Sequence, residues 1–116
     1  MVTSAADAVL AEIAKAVLDD RSVWLVRGRG SRVPRVTLWI QWPDGEARPG
    51  PGALEPVIDE LVADGLIDIS PTAGQHIGGV GPVGWRVQPT PKGWALRSDL
   101  PAEARAARMQ TWRALP

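Results

Sequence analysis

The sequence predicts a single α+β domain, with helices packed on a small antiparallel hairpin. Three observations lead there. Val9, Leu10, Ile13, Val17 and Leu18 recur at helical spacing near the start. Leu54, Val57, Ile58, Leu61 and Val62 repeat the pattern at mid-chain as an i, i+3, i+4, i+7, i+8 stripe. Two short runs, "IDIS" (67–70) and "WRVQ" (85–88), flank a glycine-rich stretch and read as paired strands.

Taken in order, the first helix is expected at about 4–20, opened by a capping-box pattern in which Ser4 precedes Asp7 by three residues. "SVWLV" (22–26) reads as a strand and "RGRGSRVPR" (27–35) as a loop. "VTLWIQW" (36–42) fits two patterns. Val36, Leu38, Ile40 and Trp42 alternate as in a strand, while Val33, Val36, Trp39 and Ile40 also share a helical face. An extra hairpin over 22–42 is therefore the alternative architecture. "PDGEARPGPG" (43–52) reads as a turn-rich connection. The mid-chain helix follows, with Pro56 in its first turn and Gly65 as its stop. "PTAGQHIGGVGPVG" (71–84) reads as a loop. Thr90 and Pro91 start a further helix, continued by "GWALRSDL", and Pro101 opens a last one over 101–115. No repeat or linker divides the 116 residues, so residues 1–116 are expected to form one domain.

No apolar run approaches the roughly 18 residues of a membrane span. The acidic start lacks the basic opening of a secretion signal. Cysteine is absent, so disulfides and thiolate metal sites are excluded, and a cytoplasmic setting is expected. Six Trp occur with no Phe, Tyr or Asn, and 11 Arg with 2 Lys. Those preferences follow GC-rich codons and point to a high-GC bacterial or phage genome. Trp is then expected to supply the aromatic bulk of the core.

Net charge is zero, yet the charge is segregated. Residues 21–48 hold Arg21, Arg27, Arg29, Arg32, Arg35 and Arg48 against Asp44 and Glu46. Residues 49–80 hold Glu55, Asp59, Glu60, Asp64 and Asp68 with no base. Such blocks imply faces of opposite sign or pairing between them.

"IDELVADGLIDIS" and "WRVQPTPKGWAL" resemble parts of winged helix-turn-helix domains. "IDELVADGLIDIS" is similar to the end of their third helix and the strand that opens the wing. "WRVQPTPKGWAL" is similar to the strand that closes the wing and the start of the last helix. The resemblance runs from Leu54 to Leu96 and implies a DNA-binding protein of the transcription-regulator kind. In such proteins the third helix enters the major groove. Here that helix carries Glu55, Asp59, Glu60 and Asp64, and residues 71–84 carry no Lys or Arg. Duplex binding needs cations to displace counterions. The expected phosphate contacts are therefore Arg21, Arg27, Arg29, Arg32 and Arg35. The alternative is a module that binds a basic protein, or mimics nucleic acid, through Glu55, Asp59, Glu60 and Asp64. The resemblance also implies a homodimer contact on the last helix, at Ala104, Ala107, Trp112 and Leu115.

Catalysis is not expected. The chain has one His, no Cys and no serine elbow, and His76 has no acid at metal spacing. "GGVGPVG" lacks the Lys-Ser/Thr of a phosphate cradle. No cofactor or metal is implied.

Overall fold

The computed structural model describes residues 2–28 and 35–116. Among them the fold is mixed α+β, with helices and an antiparallel sheet much larger than a lone hairpin. The elements are α1 (Ser4–Leu18), β1 (Ser22–Arg27), β2 (Arg35–Gln41), β3 (Ala47–Leu54), α2 (Glu55–Ala63), β4 (Ile67–Ile69), β5 (Gln75–His76), β6 (Val83–Pro89), α3 (Pro91–Ala95) and α4 (Ala102–Gln110). The strand order is β3-β2-β1-β6-β4, and β5 also pairs with β6. Every pairing among the described residues is antiparallel.

α1 is shorter than its sequence suggests. Its cap is Thr3, whose hydroxyl accepts from the Ala6 amide at 3.2 Å, so Ser4 is already helical. Asp20 adopts φ +60° and the Arg21 amide reaches back to the Ala16 carbonyl at 3.0 Å. That left-handed closure ends the helix before residue 20. α2 closes in the same way. Gly65 has φ +69°, and the Leu66 amide donates to the Leu61 carbonyl at 2.9 Å.

The run 36–42 is a strand up to Gln41, and the hairpin over 22–42 is formed, in register from Ser22↔Gln41 to Arg27↔Val36. The connection expected at 43–52 is instead largely β3. Its Pro49, Gly50, Pro51 and Gly52 mimic turn composition, but β3 is the sheet edge, where a missing N–H leaves no ladder bond unmade. A bulge between Thr37 and Trp39 accommodates the strand, and a Cβ at Gly50 would come within 2.9 Å of the Leu38 carbonyl oxygen.

β4 and β6 pair as expected, Ile67 opposite Pro89 and Ile69 opposite Val87. The stretch 71–84 is more than a loop: it forms β5 and a tight turn over Ile77–Gly79 in which Gly78 has φ +64° and Gly79 φ +85°. Thr90 caps α3 by accepting from the Gly93 amide, with Pro91 at the first helical position. α3 stops at Ala95 rather than continuing through Leu100, and α4 stops at Gln110 rather than 115.

One sheet face carries Val23, Leu25, Val36, Leu38 and Val87, covered by Leu10 and Ile13 of α1 and Ile58 and Leu61 of α2. The described members of this main cluster are aliphatic, and the buried aromatic residues outside it are Trp, as the sequence predicts. Trp94 is buried beside it, and Trp24 lies on the opposite sheet face, near buried Ile77. Burying aliphatic surface contributes roughly 25 cal/mol per Å² removed from water.

The start of α1 is joined to the segment after α3 by Arg97, only 6% exposed. Its guanidinium meets Asp7 Oδ1 at 2.8 Å and Asp99 Oδ1 at 2.6 Å. Asp7 thus belongs to this clasp, not to a capping box. The Arg97 hydrogen bond, outweighing desolvation, holds the Asp99 carboxyl below its ordinary value.

Leu61→Ala should cost about 2–5 kcal/mol by urea unfolding. Val62→Ala, 46% exposed, should change it by less than about 0.5 kcal/mol. Because Asp99 is depressed in the folded state, its contribution is present at neutral pH and lost as pH falls through the folded value. Asp99→Asn should flatten that acid limb in urea midpoints measured against pH; an unchanged limb would remove Asp99 as its source.

Candidate nucleic-acid interface

β1 and β2 run as a hairpin whose far end concentrates positive charge. Arg27 is the last residue of β1 and Arg35 the first of β2, and both are exposed. The Gly28 amide donates to the Arg35 carbonyl at 2.8 Å, closing the ladder at this end. Arg29 and Arg32 belong to the connection 29–34 and lie outside the described residues.

Arg21 does not share this end. It precedes β1 at the other end of the six-residue strand, with its guanidinium 4.8 Å from the Trp42 ring centre. A rise of about 3.3 Å per residue separates it from Arg27 by roughly 20 Å. The arginines grouped by sequence therefore divide between two ends of one strand.

Arg27 has two neighbours. Its Nη2 lies 3.3 Å from Glu55 Oε1, and its guanidinium is 5.7 Å from the Trp85 ring centre. The Arg27 side chain is 69% exposed, so solvent screens the pair. A groove of about 250 Å³ opens beside it, lined in part by Leu25, Glu55, Asp59, Ile69 and Trp85.

The acids of α2 have separate surroundings. Glu55, in the first turn, faces Arg27 and the positive end of the helix. Glu60 Oε2 accepts from the Thr3 amide at 3.2 Å and hydroxyl at 3.0 Å, tying α2 to the start of α1. Asp64 is the C-cap, and its carbonyl accepts from Lys92 Nζ at 2.9 Å. Asp59 is exposed and makes no ion pair among the described residues. The acidic face is therefore two structural ties, one C-cap and one outward carboxylate.

The expected dimer face does not form one helical surface. Ala104 and Ala107 lie on α4, but Trp112 and Leu115 come after its end. α4 sits against its own domain: Arg108 Nη2 meets Asp20 Oδ1 at 2.7 Å, and Arg105 donates to the Leu100 and Trp94 carbonyls. Leu115 instead lies against β4. Its amide donates to Asp68 Oδ2 at 2.8 Å, and Gln88 Nε2 donates to the Arg113 carbonyl at 2.6 Å. Asp68 and Gln88 lie in the two strand motifs, but nothing in the sequence assigns either a site role. Their one signal is an outward position in two strands that the pattern already pairs.

His76 Nδ1 lies 2.8 Å from the Gly81 carbonyl oxygen, inside its own turn. Among the described residues no helix is long and apolar enough to cross a membrane. No family model, no curated protein and no solved structure matches this chain.

The Arg27–Glu55 pair should be weak enough to exchange partners. A double-mutant cycle with Arg27→Ala and Glu55→Ala should give a coupling below about 1 kcal/mol. A larger coupling would mean that Arg27 is committed to the fold.

Proposed function

We propose that this chain is a small DNA-binding protein of winged-helix-like design, acting as a transcriptional regulator, that meets the phosphate backbone with its β1–β2 hairpin end. The observation carrying this reading is the placement of Arg27 and Arg35 at one end of the hairpin, flanking a connection whose sequence adds Arg29 and Arg32. Four guanidinium groups within nine residues suit counterion displacement and bidentate phosphate contact. The order α2, β4, β6, α3 supports the winged-helix comparison. Where that comparison needs a second helix, the chain has β2 and β3. The hairpin end thus takes over the contact role, and α2 serves as scaffold, consistent with Glu60 being tied to Thr3 and Glu55 facing Arg27.

A second reading rests on Asp59, the outward carboxylate of α2. It makes that helix a docking face for a basic protein. Glu60 anchors Thr3, so the clean test reverses Asp59 and Asp64 to Lys and leaves Glu60 alone.

Binding to duplex DNA should fall steeply with salt. Arg27→Ala, Arg29→Ala and Arg32→Ala combined should lower the slope of log affinity against log salt by roughly two to three. Fluorescence anisotropy over a salt series measures it. A triple variant with the parent slope removes the hairpin reading; loss of a basic partner on reversal of Asp59 and Asp64 would establish the second.

A further inference from the structure

The outward face of β4 and β6 carries a peptide-sized contact that the nucleic-acid reading does not use. Asp68 and Gln88 are direct cross-strand partners, bonded to each other at 3.1 Å. Strand alternation turns both away from the core face held by Ile67, Ile69 and Val87. Together they read the main chain of the C-terminal segment. Gln88 donates to the Arg113 carbonyl, Asp68 accepts from the Leu115 amide, and the Ser70 hydroxyl donates to the Pro116 carbonyl. Residues 113 and 115 present these groups two positions apart, the spacing at which an extended strand shows one edge. Leu115 is half-buried, beside a cavity of about 150 Å³ lined by Trp24, Thr72, Gly84 and Arg86 among others.

The element that carries this segment lies outside the main core cluster, held by Arg105, which donates to the Leu100 and Trp94 carbonyls, and by Trp112, whose indole nitrogen is buried. α4 has no buried residue. Its charged tie, Arg108 to Asp20, joins side chains 35% and 79% exposed, where an ion pair contributes little. Releasing α4 and the segment after it therefore opens none of the main core. A second copy offers the same segment and remakes the same bonds. Such an exchange costs association entropy and little else.

We infer that the β4–β6 face is a peptide-docking groove, filled in cis by residues 113–116, that accepts the same segment from a second copy of the chain. The exchanged form is a dimer assembled through these contacts, not through a helix face.

The test uses two variants of the 116-residue chain. Leu115→Asp spoils the segment and leaves the groove intact. Asp68→Ala with Gln88→Ala spoils the groove and leaves the segment intact. Each alone should run as a monomer by light scattering, and their mixture should form a one-to-one dimer. An amidated peptide of residues 111–116 should bind the Leu115→Asp chain at least about tenfold more tightly than the groove variant. A peptide that binds neither chain overturns the groove. Peptide binding with a mixture that stays monomeric overturns the second copy as occupant. If either variant fails to fold by circular dichroism, Leu115→Ala and Gln88→Ala repeat the comparison with less disturbance.

Discussion

Both faces of this molecule depend on the pairing of β6. One edge of that strand holds Val23–Leu25 of β1, and the other holds β4 and then β5. Its inward residue Val87 completes the aliphatic layer under α1 and α2, while its outward Arg86 and Gln88 help build the opposite face. A strand paired on both edges has its backbone donors and acceptors satisfied along its paired length. Without it, β4 and β5 would have no partner, and the β1–β3 meander would be cut off from the rest of the sheet.

The helices then fit onto a surface already fixed. α1 approaches closely because Ala6, Ala14 and Ala16 accompany Leu10 and Ile13 among its buried residues. Glu60 and Arg97 secure it from two sides, one through Thr3 and the other through Asp7. Charges that form opposed blocks in sequence thus serve partly as fasteners in space. At the hairpin end, Arg35 makes no ion pair among the described residues and Arg27 makes an exposed one.

Much of the architecture is legible in particular residues. The Leu54–Val62 stripe and Gly65 define α2, and Thr90–Pro91 define the start of α3, because helical spacing, left-handed glycine and proline at a first turn are local properties. The pairing of "IDIS" with "WRVQ" is legible for the same reason. β3 is not. Proline and glycine have the same appearance in a turn and in an edge strand, and only the partner strand distinguishes them. Grouping Arg21 with Arg27 fails because sequence proximity ignores the length of an extended strand. The spacing of Leu115 suggests a helix, whereas Asp68 and Gln88, distant in sequence, determine where it lies.

The composition of β3 also bears on what can happen to this protein in concentrated solution. Pro49 and Pro51 have no amide hydrogen, so neither can donate to a strand approaching from outside. A foreign strand laid along that margin would meet an interrupted ladder. Growth of a continuous intermolecular sheet, the first step toward fibrils, is blocked there by covalent structure and not by charge, and raising the salt would not remove the protection.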